Sequence, residues 1–257
     1  MNKEIEWGIS GNRERIFVSS AFGCSHHCTY CYLQRMKINA VQYIFKKDEL
    51  LDELDRQGIY IPGRQGSLVT IGCFTECWDE INRETTIQMI NFFLHQGNYV
   101  QISTKKEIAE TDIISIAKNI QFQDQMNIFV SLPTLSYAKS FEPDADSPDL
   151  RIRNLDIKRK YGINTYIYIK PVIESITIKD KRKYAKLVKQ YHVPVIIGEL
   201  MYPVSDRSSR RFYIGKACMK EYHSDDSEKL ERFLGRYTDI YRHSDDAIKQ
   251  IRKNMEK

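Results

Sequence analysis

The feature that most constrains this chain is an alternation of short apolar runs with amphipathic stretches, repeated six times. "ERIFVSS" (Glu14 to Ser20) is rich in β-branched and aromatic residues and reads as a strand. "SLVTIGC" (Ser67 to Cys73), "NYVQIST" (Asn98 to Thr104), "MNIFVSL" (Met126 to Leu132), "TYIYIKPVI" and "VPVIIGEL" (Val193 to Leu200) follow in the same style. Helical periodicity fills the intervals. "KKDELLDELDRQG" aligns Leu50, Leu51 and Leu54 before a stop at Gly58, and "RETTIQMINFFLHQG" aligns Ile87, Ile90 and Leu94. A helix is predicted around Thr111 to Asn119. Another follows "SPDLRIRNLDIKRKYG", where Ser147 caps, Pro148 suits the first helical position, Asp149 meets the positive helix end and Gly162 closes it. The last, "TIKDKRKYAKLVKQYH", carries Tyr184, Leu187, Val188 and Tyr191 on one face. Lys181, Arg182, Lys186 and Lys189 form its wet face.

Six β–α units with nearly continuous apolar strands predict a buried parallel sheet in an α/β fold. Right-handed crossovers wind such a sheet into an open or partly closed barrel, with the chemistry at the C-terminal strand ends. The pattern changes after about Met201. Residues 1–200 are therefore expected to form the barrel, and 201–257, with two charged helical stretches, a short helical appendage on the same domain.

A chain of 257 residues can bury this core without covalent staples. No run of 18 or more apolar residues is present, and "MNKEIEWGIS" has no apolar segment of a secretory signal, so a cytoplasmic protein with no membrane partner is expected. In that compartment the six cysteines, at 24, 28, 31, 73, 77 and 218, are expected to be reduced and free to bind metal. The net charge of +5 is compatible with a polyanionic partner without requiring one.

Three of those thiols stand within "GCSHHCTYCY", on the loop that follows the first strand. Cys24, Cys28 and Cys31 have the spacing C-x3-C-x2-C and can bind three irons of a [4Fe-4S] cluster, leaving the fourth iron for a small molecule. Ferredoxin-type loops add a fourth cysteine and close the cluster. Two other readings are open at this point. A structural zinc could recruit the cysteines with His26 or His27, which would make the chain a zinc-stabilised nucleic-acid-binding module. A redox-only cluster would need a fourth ligand, and the next cysteine is Cys73. The two histidines could also hydrogen-bond cluster sulfides or simply pack in the loop.

The loop resembles that of the radical S-adenosylmethionine (radical SAM) enzymes, including the aromatic Tyr30 before the last cysteine. "FGCSHHCTYCY" with Tyr32, "FEPDADSPDLR" and "KPVI" resemble the spore photoproduct lyase-like, or DNA repair photolyase-like, branch over roughly Ile16 to Leu200. The resemblance implies a partial (β/α)6 TIM-like barrel and two cofactors, a [4Fe-4S] cluster and S-adenosyl-L-methionine. It implies reductive cleavage to a 5′-deoxyadenosyl radical that abstracts hydrogen from substrate, and an external flavodoxin- or ferredoxin-like electron donor. Metal ligands would be Cys24, Cys28 and Cys31. Tyr30, Lys105, Ser131 and Glu76 match cofactor-contacting positions, with Lys105 set to neutralise the methionine carboxylate. Cys73, at the end of the second strand, matches a hydrogen-atom donor, with a small buried hydrophobe as its bland alternative; Cys77 is a second, weaker candidate, or a partner that relays the radical or forms a transient disulfide.

The resemblance also brings nucleic acid in as a partner, whose base would have to leave its stack to reach the site. "RSSRRFYIGK" offers Arg207, Arg210, Arg211 and Lys216 with Phe212 and Tyr213 interleaved, or else a solvated loop. The chain departs from the lyase pattern in having two cysteines after the second strand and an unexplained Cys218. A modified base, a nucleotide, a small molecule or a protein side chain are thus all open as substrates.

Overall fold

The computed structural model describes residues 7–204, 211–214 and 217–255. The chain begins with a hairpin of β1 (Ile9–Gly11) and β2 (Arg15–Val18), paired antiparallel. A two-residue strand β3 (Ala21–Phe22) leads into the cysteine loop and the short helix α1 (Tyr32–Arg35), and β4 (Tyr43–Ile44) returns against β3. Regular units follow: α2 (Lys47–Gln57), β5 (Leu68–Ile71), α3 (Arg83–His95), β6 (Val100–Thr104), α4 (Glu110–Ala117) and β7 (Met126–Ser131). The next crossover is broken into α5 (Ala138–Phe141), α6 (Pro148–Ile152) and α7 (Ile157–Tyr161). Then come β8 (Asn164–Ile169), α8 (Lys181–Tyr191) and β9 (Val195–Ile197).

Strands β2, β5, β6, β7, β8 and β9 are neighbours in that order, and every pair is parallel. This is the predicted six-strand arrangement of a partial TIM-like barrel. All six residues of β7 and all three of β9 are buried, because helices cover the outer face and side chains or the cavity fill the inner one. The helix punctuation read from sequence also holds. Ser147 accepts from the Leu150 N–H, and Gly58 and Gly162 end their helices with φ of +60° and +70°, a left-handed turn that glycine adopts without steric cost.

The segment after β9 is more than helical. β10 (Leu200–Pro203), β11 (Arg211–Ile214) and β12 (Ala217–Tyr222) form an antiparallel sheet in the order β10–β12–β11, which the sequence reading did not anticipate. The two expected helices are present as α9 (Asp225–Leu234) and α10 (Ser244–Met255). Between them, β13 (Ile240–Tyr241) joins β9 in parallel and extends the barrel sheet. α10 then crosses to the opposite edge. Arg15 of β2 pairs with Asp245 at 3.0 Å and donates to Ser244 Oγ, while Ile248 packs on Leu68 and Tyr99. The terminal helix thus stoppers the barrel at its N-terminal end and links its first strand to its last.

Candidate functional site

The opposite, C-terminal ends of the strands surround a cavity of about 510 Å³. Its wall includes Cys24, Cys28 and Cys31, and it also takes in Tyr30, Glu76, Lys105, Ser131 and Cys73. Eight of the nine candidate residues from the sequence therefore converge on one chamber. The ninth does not. Cys77 is fully buried in the hydrophobic core, outside the cavity wall, with its thiol 3.5 Å from the Ser103 carbonyl. It packs as a small hydrophobe, as a free cysteine often does, and does not itself face the chamber.

The cysteine loop is held from outside by the broken crossover after β7. The Thr29 N–H donates to the Phe141 carbonyl, and exposed His27 pairs with Asp144 at 2.7 Å. Tyr30 donates its hydroxyl to Glu142, whose other oxygen accepts from Arg151 at 2.7 Å. That ion pair is fully buried. Arg151 also donates to the Ser131 and Asp146 carbonyls, and the Lys105 ammonium lies 4.0 Å from Glu142 and over the Tyr30 ring. Glu142 and Arg151 are thus functional-site residues that the sequence reading quoted, inside "FEPDADSPDLR", without giving them a role.

Burial raises all three loop thiols above their ordinary range, Cys24 to about 12, and Lys105 pulls each of them back down. For Lys105 itself, burial favours the neutral amine, but the Cys28 sulfur, once ionised, and the Glu142 and Glu76 carboxylates outweigh it, so the ammonium is retained. A cation on the same cavity wall as the three sulfurs favours their thiolate forms. Ser131 Oγ and Arg151 Nη2 are buried without a hydrogen-bond partner, whereas buried His26 has the Asp79 carboxylate 3.4 Å from its Nε2. Ser131 and His26 line the cavity. Orphaned buried polar atoms around a chamber fit a polar ligand that completes them. Among the described residues no three His, Cys, Asp or Glu side chains close on a single point as one metal ion needs.

Glu76 is a structural tie as well as a lining residue. It accepts from Thr104 Oγ1 at 2.5 Å and from the N–H groups of Trp78 and Lys105, joining the loop after β5 to the end of β6. Cys73 is half-buried in the wall, and Tyr32 donates to its carbonyl, fixing the loop after β5 against α1. Burial raises the Cys73 thiol to about 11, with Arg15 and Lys170 acting against the rise. Cys218 lies on β12, outside the cavity wall, and Arg207, Arg210 and Lys216 of the basic stretch lie outside the described residues.

Comparison with solved structures places this architecture. Spore photoproduct lyase in complex with a dinucleoside spore photoproduct matches with a TM-score of 0.60 at 16% identity, over 84% of this chain and 71% of the lyase. The chain has the radical SAM fold. A second radical SAM enzyme, SuiB of Streptococcus suis bound to S-adenosylmethionine, matches with a TM-score of 0.58 at 13% identity, over 89% of this chain but only 50% of SuiB. SuiB bound to its precursor peptide SuiA matches with a TM-score of 0.60 at 13% identity, over 94% of this chain and 51% of SuiB. No family model matches the sequence, and no curated protein matches it. Within the radical SAM barrel the cysteine loop follows β2, the first parallel strand, and faces the ends of the other five. Among the described residues no helix is long and apolar enough to cross a membrane.

Proposed function

We propose that the protein is a radical SAM enzyme, in which Cys24, Cys28 and Cys31 hold a [4Fe-4S] cluster and the adjoining cavity holds S-adenosylmethionine. The observation that carries this reading is the convergence of the three loop thiols and the Lys105 ammonium on the lining of one chamber in this fold. When bound, the cluster supplies the electron that cleaves the sulfonium to a 5′-deoxyadenosyl radical. The chain's own residues bind and orient. Lys105 neutralises the cofactor carboxylate, and Glu142 keeps that ammonium charged and Tyr30 in place. Ser131 presents a free hydroxyl to the ribose. Cys73, kept protonated by burial, offers an S–H hydrogen atom to a substrate radical. An external flavodoxin- or ferredoxin-like protein delivers the electron.

Anaerobic reconstitution with iron and sulfide tests this. The expected preparation absorbs broadly in the visible and, when reduced, forms 5′-deoxyadenosine from S-adenosylmethionine. Alanine at any of the three loop cysteines abolishes both. A colourless preparation with stoichiometric zinc is the result that overturns it.

The nucleic-acid target implied by the lyase resemblance rests on that resemblance and on the basic stretch. The described part of the cavity wall offers it less, since Glu199 and Glu221 enter the lining and would repel a phosphodiester backbone.

A further inference from the structure

One cation in the cavity has no role in the cofactor reading. Lys170, just past the C-terminal end of β8, lines the same chamber as Cys73. Its side chain is 17% exposed, and its one ion-pair partner among the described residues is Glu221 of β12, at 3.9 Å. That separation is too long for a hydrogen bond. The stem of Lys170 is held in place by an absence. A Cβ on Gly198, just past β9, would stand 2.6 Å from Lys170 Cδ and 2.9 Å from Cγ. Only glycine there lets the lysine lie across the strand end and reach into the cavity.

The other cation near Cys73 is committed. Arg15 donates Nε to Thr70, Nη1 to Asp245 and Nη2 to Ser244, all within 3.0 Å. Glu199 is occupied in the same way by Ser227, the Ser224 N–H and Arg242. Lys170 and Glu221 remain as a loose pair of opposite charges between the barrel and the appendage sheet.

We infer that Lys170 is the substrate's anchor, binding a single carboxylate in the chamber that Cys73 also lines, and that Glu221 holds its place in the free enzyme. A substrate carboxylate entering the chamber exchanges with the Glu221 carboxylate, moving from water to a point-charge ammonium without stranding either group. One lysine flanked by Glu221 and Glu199 suits one negative charge and rejects a polyanion. The substrate class is therefore a carboxylic acid, such as an amino-acid side chain or a small organic acid. Lys105 and Lys170 would then divide the cavity, one serving the cofactor and the other the substrate. This rests on the chamber being the reaction site proposed above.

The test uses two alkylating probes on the anaerobically reconstituted holoenzyme, iodoacetate with its carboxylate and neutral iodoacetamide. Labelling of Cys73 is read by peptide mass spectrometry. The ratio of the two rates isolates recognition of the negative charge, because a change in thiol reactivity affects both probes alike. Lys170→Met should lower the ratio by about fivefold, the upper range for a partly exposed ion pair. Gly198→Ala should lower it too, by displacing the ammonium while keeping its charge. Lys170→Arg should preserve it, and Glu221→Gln should raise it. A ratio unmoved by Lys170→Met, or a Cys73 that neither probe labels, overturns the proposal. Inorganic phosphate protecting Cys73 better than acetate overturns the carboxylate assignment in favour of a phosphate. Formation of 5′-deoxyadenosine is measured in parallel on the unsubstituted enzyme. Its absence with an intact ratio would sink the radical SAM reading and leave the anion site standing.

Discussion

At the scale of single residues, the Glu142–Arg151 pair concentrates the most consequence. Both side chains are fully buried, and one carboxylate serves Tyr30, Lys105 and Arg151 together. Removing one member of a buried pair strands the other charge, which costs about 3–5 kcal/mol. Arg151→Met should therefore lower unfolding free energy by about that amount, measured by urea denaturation. The Glu142→Gln change should be milder, because the amide can still accept from Tyr30 or Arg151, but it should weaken cofactor binding by loosening Lys105. Cys73 permits a prediction on pH. Its thiol titrates near 11 in the folded chain against an ordinary value of 9.0, with burial as the leading cause. The folded state thus favours the protonated thiol. Stability from this group is fully present below pH 9 and is lost as pH rises through about 11. Alkylation of Cys73 by iodoacetamide should accelerate about tenfold per pH unit until that same value, since the thiolate is the nucleophile. A rate that levels off near pH 9 would contradict the assigned environment.

At the scale of elements, the strands and helices of the barrel were legible because each obeys one strong period. β5, β6, β7, β8 and β9 are apolar runs between turn residues, and α8 separates Tyr184 and Val188 from its lysines along a clean stripe. The appendage sheet was not legible. In β12 only Ala217 and Met219 alternate inward, and a six-residue strand with Lys220 and Glu221 gives too short a period to distinguish from a loop. β13 has two residues, and its pairing with β9 comes from tertiary packing alone. The same limit hid Glu142 and Arg151 as a site pair. They lie nine positions apart, one ending a helical turn and one inside α6, and only the fold buries them against each other. The burial of Cys77 was equally illegible, because a residue in the loop after a strand end can turn back into the core as easily as face the chamber. The terminal helix yields its own prediction. Ile248 is 1% exposed and fills the space beneath Leu68 and Tyr99. Ile248→Ala should cost about 2–5 kcal/mol by leaving a cavity, visible as a lower midpoint in denaturant. An unaltered midpoint would mean that α10 is peripheral and does not stopper the barrel.

At the scale of the whole molecule, the two ends of the barrel do different work. The N-terminal end is closed by α10 through Arg15, Asp245 and packed Ile248, so it supplies rigidity. The C-terminal end is left hollow and lined with charge, which has a thermodynamic cost that ligands can repay. Ser131 keeps a buried hydroxyl without a partner there, and such a group is destabilising until it is met. A molecule built this way should be stabilised by its cofactor more than its surface contacts alone would suggest. S-adenosylmethionine at a hundred times its dissociation constant should add about 2.7 kcal/mol. For a chain of this length that is a rise of roughly 5–10 °C in the unfolding midpoint. The rise should appear in the reconstituted protein under anaerobic conditions and vanish when Cys28 is replaced by alanine, since the proposed cofactor site depends on the cluster that Cys28 would help to hold. A zinc-stabilised binding module behaves differently: its midpoint falls with chelator and does not respond to S-adenosylmethionine. Differential scanning calorimetry with and without the cofactor separates the two. A shift that survives the cysteine substitution would show that the chamber binds the nucleoside without a cluster, and that the thiols serve something else.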